Sequence, residues 1–384
     1  MNRVRITLTS FLAYAVMAGM LSQIGIMINP MGEYYDKEAT EVASQFSWLT
    51  FGILGGSLIS LIIFDFIKIK TLTISVLSCI VLSITGFYLV DSYEINRLFF
   101  GLIGLCCGIV LPAAAIVIAR SYETGQRATM LVLTDAAFSL SGALCTTLAI
   151  IYFSMDLHWS TGFGTVAIIA MIAIGITTIS KYPEVEPEEK TNLIVELKKW
   201  PVSIYLCMGS LFLYLIGQNF ILIWIPGYAE TLPGVSSEQA GQLVSNYWKG
   251  MFIGQLVVVA LLTKFRTATL TIFAAVLMLF SVMPLWLISE LNILSIMTFV
   301  WGLVTLGLLK LILSWATEMV DIPGPHLIAA LLMAATTGTA VSPDLSSRLV
   351  ELSGIQAPIQ AGSLAFLIVL ILVVSSKVVT TRAS

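Results

Sequence analysis

Residues 181–200 read KYPEVEPEEKTNLIVELKKW, the longest polar stretch in a chain of 384 residues. Pro183 and Pro187 open it and an amphipathic turn closes it, which is the composition of a linker lying along a membrane surface. Everything around it is a comb of apolar segments. Before it lie 6–29, 43–64, 71–90, 97–119, 129–154 and 160–180, and after it 202–225, 241–262, 268–288, 293–317, 327–349 and 361–378. Each suits the roughly 20 residues an α-helix needs to cross a hydrocarbon core about 30 Å thick. The expected fold is therefore all-α integral membrane: 12 transmembrane helices in two six-helix bundles, residues 1–180 and 201–384, joined by the 181–200 linker.

Composition leads to the same place. The chain is 58% hydrophobic and 11% charged, with mean hydropathy +0.97, and a soluble protein could not cover its surface with so few charges. Its 19 basic residues are sorted by side. Fourteen fall in the termini and alternate loops: Arg3, Arg5, Lys68, Lys70, Arg120, Arg127, Lys181, Lys190, Lys198, Lys199, Lys264, Arg266, Lys377 and Arg382. The other loops hold Lys37, Arg97 and Arg348, and Lys249 and Lys310 lie inside segments. Under the positive-inside rule both termini are cytoplasmic, and the expected location is the cell inner (cytoplasmic) membrane, crossed many times. Basic residues scattered singly through short loops exclude nucleic acid as a partner. The opening Met1-Asn2-Arg3-Val4-Arg5 resembles a signal n-region, but its apolar stretch runs past Met27 without a small-residue cleavage site and is read as span 1. All five cysteines lie within apolar segments, and the chain has neither Cys/His metal spacing nor a cofactor motif.

The two halves echo each other. Asn29-Pro30-Met31-Gly32-Glu33-Tyr34 ends span 1, and Trp224-Ile225-Pro226-Gly227-Tyr228-Ala229-Glu230 ends span 7. Ser44-Gln45-Phe46 and Ser245-Asn246-Tyr247 open the next spans, with Gly52 and Gly254 at similar depths. A repeat of six helices is the build of many secondary transporters, whose solute site lies between the halves near the midplane.

At this point the chain resembles the major facilitator superfamily and, within it, the fucose/proton symporter branch, most of all the TsgA group. The resemblance covers nearly the whole length. It rests on Leu133-Thr134-Asp135-Ala136-Ala137-Phe138-Ser139 with Gly142, on Ile216-Gly217-Gln218 leading to Trp224-Ile225-Pro226-Gly227-Tyr228-Ala229, and on Gln239-Ala240-Gly241-Gln242-Leu243-Val244-Ser245 with Tyr247-Trp248. The family's loop between spans 2 and 3, Gly-x-x-x-Asp-Arg-x-Gly-x-Lys, is matched at Asp65 and Lys70, while Leu61, Phe66 and Lys68 depart from it. That resemblance makes Asp65 and Lys70 candidates for a cytoplasmic charge latch. Fucose symporters carry an Asp in helix 1 and a Glu in helix 4; here residues 20–29 hold no acid, with Gly25 near the expected place, and helix 4 offers Leu111-Pro112-Ala113. The resemblance thus implies alternating access but not fucose.

Intramembrane charges are the strongest functional signals. Asp135 lies about seven residues inside span 5, where a carboxylate costs roughly 2.5–3.5 kcal/mol on insertion scales and is normally turned toward a cavity or partner. It is the candidate for proton coupling, against a purely structural hydrogen bond. Lys310 lies about seven residues from the cytoplasmic end of span 10, so at 1.5 Å per residue the two reach similar depth and can pair as a cytoplasmic gate, unless Lys310 snorkels. Lys249 and Asp344 could meet across a cavity from the outer side, but Asp344 also has Arg348 as an i,i+4 partner. For solute contact the candidates are Gln23, Asn29, Gln218, Asn219 and Asn246 as hydrogen-bonding groups, with Gln255 and Thr305, and Trp48, Tyr214, Trp248 and Trp301 as stacking surfaces. Polar residues in membrane helices also serve as interhelical glue, and tryptophans as interfacial anchors.

Enzymes of the membrane are poorly matched, since no intramembrane Ser–His pair, no His-Glu-x-x-His and no phosphate-binding loop is present. A two-half repeat serves alternating access better than the static pore of a channel, and a receptor is the remaining alternative. The expected function is secondary active, proton-coupled uptake of a small polar or anionic solute such as a sugar or organic acid, with proton-driven efflux of a metabolite or toxic compound as the alternative. The expected partners are that solute, protons and the lipid bilayer, the chain working as a monomer without a cofactor. The sidedness is testable: a single cysteine at Glu188 should react with an impermeant maleimide only after cells are permeabilised. Labelling from outside intact cells would invert the topology.

Overall fold

The computed structural model describes residues 2–64, 66–122, 124–182, 200–320 and 325–383, and every regular element among them is a helix. Span 1 is made of α1 (Asn2–Ser22) and α2 (Ile24–Tyr35), and span 2 of α3 (Ala39–Gln45) and α4 (Ser47–Ile63). Spans 3 to 6 are α5 (Ile69–Leu89), α6 (Tyr93–Ser121), α7 (Thr124–Ser154) and α8 (Thr161–Thr178). Spans 7, 8 and 9 are α9 (Val202–Glu230), α10 (Ser237–Leu262) and α11 (Thr267–Val282). Span 10 is divided into α12 (Leu291–Thr305) and α13 (Leu308–Glu318), and spans 11 and 12 are α14 (Pro325–Ser353) and α15 (Ala357–Ala383). Among the described residues, ten stretches are long and apolar enough to cross a membrane. The set is completed by α10, which carries Glu238, Asn246, Lys249 and Gln255, and by the short α11. Pro284 explains the shortness of α11: the helix stops at Val282, two residues before a ring that would clash with the preceding turn. Most of the linker, residues 183–199, lies outside the described residues, as does Asp65.

Helix ends are fixed locally. Ser236 and Gln239 form a capping box at the start of α10, the Gln239 N–H donating to Ser236 Oγ at 3.3 Å and the Ser236 N–H to Gln239 Oε1 at 3.0 Å. At the C-terminal end of α8 the Lys70 ammonium donates to the carbonyls of Thr178 and Ser180, both at 2.8 Å, so a cation closes the negative end of that helix.

In the membrane, where lipid tails are as apolar as leucine, close helix contact comes from small residues. A Cβ added at Gly52 of α4 would fall on the Gly101 carbonyl of α6 and 2.9 Å from the Leu105 amide. In the second half a Cβ at Gly250 of α10 would fall on the Phe299 carbonyl of α12 and 2.8 Å from the Leu303 amide. All of these atoms recur at a shift of 198 positions, as do Gly56 and Gly254, and Gly104 and Gly302. The structural repeat therefore pairs Gly52 with Gly250, one helical turn from the sequence pairing of Gly52 with Gly254.

The repeat also shows why span 10 breaks. Gly108 continues the contact of span 4, its position for a Cβ lying 2.8 Å from the Ser57 amide of span 2. At the same shift the second half has Leu306. As a helical residue it would drive its side chain into the span 8 backbone near Gln255; instead it takes a left-handed conformation (φ 47°, ψ 27°), followed by Gly307 (φ 63°, ψ 41°). A left-handed leucine costs about 1–2 kcal/mol. Helix α13 restarts at once, the Lys310 and Leu311 amides donating to the Gly307 carbonyl at 2.8 and 3.1 Å.

Within the first bundle span 1 packs on spans 4, 5 and 6, and span 2 on span 4; within the second, span 7 packs on spans 11 and 12, and span 8 on span 10. The bundles meet along span 5 against span 8, span 2 against span 11, and the outer pieces α2 and α3 against α9 and α14. Replacing Gly302 by valine should therefore lower the melting temperature of the purified protein sharply, with a loss of about 3 kcal/mol or more. Gly175→Ala, at a position with open space around it, should be neutral; equal melting temperatures for the two variants would refute the contact.

Candidate functional site

Two charges of opposite sign face each other across the seam between the bundles. Lys310, in the first turn of α13, reaches Asp135 of α7, with Nζ 3.5 Å from Oδ2. The lysine side chain is 32% exposed and the aspartate 17%, so the pair is neither sealed in the core nor free in solvent. Tyr14 of α1 is buried beside them, close enough to interact with both charges. A lone charge at this depth would cost several kcal/mol, and pairing with partial hydration is the physical reason both residues are tolerated.

One turn along α7, the Ser139 hydroxyl donates to Gln255 Oε1 of α10 at 2.8 Å. That bond crosses the seam fully buried and leaves the Gln255 amide N–H groups for other acceptors. A Cβ at Gly307 would sit 3.7 Å from the Gln255 side chain, so the break in span 10 and this bond are neighbours. Trp248 lies over Gly142 and against Phe138, ring centroids 5.7 Å apart. Tyr247 stacks on Trp301 at 4.1 Å, and Tyr214 and Phe366 continue the cluster at 6.2 Å. The indole nitrogens of Trp248 and Trp301 and the Tyr247 hydroxyl are buried without a hydrogen-bond partner. Buried polar groups are rarely left unpaired, so this cluster is the candidate for contact with a solute.

Several sequence-derived candidates stand elsewhere. Lys249 is exposed on the stripe of α10 that includes Ile253 and Leu256 and faces away from the seam. Asp344 pairs with Arg348 at 3.0 Å on its own helix, the i,i+4 partner that the spacing offered, rather than with Lys249. Gln23 is buried inside the first bundle, its amide donating to the Gly19 carbonyl at 2.7 Å and its oxygen lying against Gly162. Trp48 is 49% exposed beside Gly101. Asn246, its counterpart in the repeat, donates to Ser295 Oγ at 2.7 Å within the second bundle. Asn219 donates to the Leu215 carbonyl at 2.8 Å and to Thr339 Oγ1 at 3.5 Å, tying α9 to α14. Asn29 does cross the seam, but at the outer ends of the bundles, where it donates to Glu230. Lys70 serves the end of span 6 rather than a latch between bundles.

Of the solute candidates, Tyr214, Gln218, Trp248 and Trp301 remain buried near the seam, with Gln255 and Thr305. The Thr305 hydroxyl donates to the Trp301 carbonyl at 2.8 Å. Sequence reasoning did not single out Tyr14, Tyr247 or Ser139 as site residues. Ser139, four residues after Asp135, and Tyr247, eight before Gln255, do lie in segments that carry the family resemblance and at helical spacing from those residues, whereas Tyr14 has no such signal. Gly25 explains the missing helix-1 acid: a Cβ there would strike the Leu222 carbonyl and lie 2.9 Å from that of Ile223, so spans 1 and 7 touch through backbone and no side chain fits.

The model of the Major Facilitator Superfamily matches residues 7–343. Protein TsgA of Shigella flexneri is 23% identical over 378 residues, 97% of this chain and 94% of that one. The TsgA homolog of Buchnera aphidicola subsp. Baizongia pistaciae is 26% identical over 375 residues, covering 97% and 95%. Among solved structures, nucleoside transporter NupG superposes with TM-score 0.75 at 10% identity over 99% of this chain and 100% of that one. A D-xylose-proton symporter superposes with TM-score 0.74 at 14% identity over 96% of each.

The interaction across the seam can be measured directly. Asp135→Asn and Lys310→Gln should each destabilise the purified protein by about 1–3 kcal/mol, because each leaves one partly buried charge without its partner. The double variant should recover part of that loss, and melting data in which the single effects simply add would show that the pair carries no coupling.

Proposed function

Because this chain belongs to the Major Facilitator Superfamily, whose members are transporters, we propose that it is a secondary active transporter coupling uptake of a small polar or anionic solute to proton entry by alternating access. The observation that carries the reading is the Asp135–Lys310 pair, 3.5 Å apart and joining opposite bundles inside the membrane. While Asp135 is ionised the pair holds spans 5 and 10 together. Protonation removes the attraction, and the seam at that level is free to part. Asp135 is the coupling group, Lys310 its gate partner, and the unpaired donors of Trp248, Trp301 and Tyr247 are the groups that a polar solute would satisfy.

Other features fit the same reading. The seam runs without interruption from Asn29 and Glu230 at the outer ends, through Thr147 and Ser245 at 2.7 Å, to Ser139 and Gln255 at 2.8 Å and then to the charge pair. Alternating access requires contacts of this kind, made and released in turn on the two sides of the solute. The solved neighbours are a nucleoside transporter and a D-xylose-proton symporter, and both solutes are small and rich in hydrogen-bonding groups. The protein works as a monomer in the cell inner membrane with both termini and the 181–200 linker in the cytoplasm, its bundles being residues 1–180 and 201–384.

The experiment uses reconstituted protein and the solute that it concentrates from a panel of sugars, nucleosides and organic acids. Asp135→Asn should abolish accumulation driven by a pH gradient and leave solute exchange at zero gradient near the wild-type rate. Accumulation by the Asn variant would place coupling at another residue.

A further inference from the structure

The chemistry around the pair narrows the solute. This step rests on the transport reading above and concerns only what the site accepts. In the aromatic cluster at the seam, the described buried groups left unpaired can all donate: the indoles of Trp248 and Trp301, 4% and 0% exposed, and the hydroxyl of Tyr247, 0% exposed. Gln255 has spent its oxygen on Ser139, which leaves its amide N–H groups. Lys310 has three donors and a positive charge, and its side chain and that of Asp135 stay partly exposed, at 32% and 17%. Against this surplus stands one carboxylate, Asp135. The remaining titratable groups near the pair are phenols, Tyr14 of α1 and Tyr214 of α9, with Tyr247 of α10 beyond. A neutral sugar or nucleoside brings as many donors as acceptors and would leave donors facing donors. An oxyanion brings acceptors alone.

We infer that the solute is an organic anion whose carboxylate replaces that of Asp135 on Lys310. The exchange balances. In the empty state the aspartate carboxylate neutralises the ammonium. A proton binds to Asp135 Oδ2 and makes it a neutral acid, and the solute carboxylate takes its place against Nζ, with its oxygens accepting from the freed ammonium donors. The site is neutral before and after, no bond of the solute is made or broken, and the load carried is one proton with one carboxylate. Transport is therefore electroneutral, and the proton and the anion enter together because each makes room for the other.

The test pairs acids with neutral counterparts of similar size: D-gluconate against D-glucitol, D-galacturonate against D-galactose, and L-lactate against propane-1,2-diol. Binding to the purified protein is read as a rise in melting temperature and as a change in tryptophan fluorescence, between pH 5.5 and 8. For the wild type, acids should bind, their neutral partners should not, and affinity should fall as the pH rises and Asp135 reclaims Lys310. Asp135→Asn removes that competitor while leaving the cation, so it should bind the same acid at least about tenfold more tightly at pH 8 and lose the pH dependence. A carboxylate that merely completed the fold would give no such gain. Lys310→Gln should lose binding and Lys310→Arg should keep it, so the folded Arg and Asn variants decide the matter even if the Gln variant does not fold. Neutral members binding as well as the acids, or no acid binding at any pH, overturns the inference while leaving transport to the exchange assay. In liposomes, an acid that binds through Lys310 but enters without alkalinising the outer medium overturns the coupling and not the anion site.

Discussion

A charge inside a bilayer must be answered within a few ångströms, because lipid cannot replace a missing partner. That requirement governs the middle of this molecule. Lys310 and Asp135 come from helices of different bundles, and each is tolerable only because the other chain segment delivers its partner to the same depth. The pair therefore does two things at once: it lowers the cost of two ions and it ties span 5 of one bundle to span 10 of the other. A surface ion pair with the same separation would be worth little, since solvent would screen it and replace either partner.

Around this pair the fold is built by the opposite device, the removal of side chains. Spans 2 and 4, and spans 8 and 10, touch backbone to backbone through glycines set in the same register. Where the first bundle has Gly108 the second has Leu306, and the single substitution turns a continuous helix into two pieces. The charged residue of span 10 sits at the start of the second piece. A difference of one side chain between otherwise equivalent positions thus separates the half that carries the lysine from the half that carries a proline, Pro112, at the matching place.

Much of the architecture was legible because it is written in averages. Segment lengths, the split of basic residues and the central polar linker each integrate over many positions. The Asp135–Lys310 pairing was also accessible, since depth in a helix can be counted and intramembrane charges are few. Facing direction is harder to read. Lys249, Gln23, Trp48 and Asn246 have the residue types of a solute site, but whether a side chain looks to the seam, to its own bundle or outward depends on helix rotation. That rotation is set by glycine contacts whose register the sequence repeat places one turn away. Gln255 and Ser139 are the converse: ordinary polar residues whose meaning comes only from being opposite each other. Span 9 is shorter as a helix than its hydropathy implies, because the apolar run continues through Pro284 while the helix ends at Val282.

The contact at Gly25 has a mechanical reading. Spans 1 and 7 meet there through main-chain atoms alone, a surface with no side chain to interlock, no rotamer to change and little friction to oppose turning. Under the alternating access proposed above, such a point would serve as a fulcrum. Counting along the helices at 1.5 Å per residue, it lies about 20 Å above the level of the charge pair, so a tilt of about 10° about it displaces the inner ends by roughly 3.5 Å. That is about the length of the contact between Lys310 and Asp135. A modest tilt of one bundle on the other is enough to open the lock at the far end of the lever while the pivot itself hardly moves.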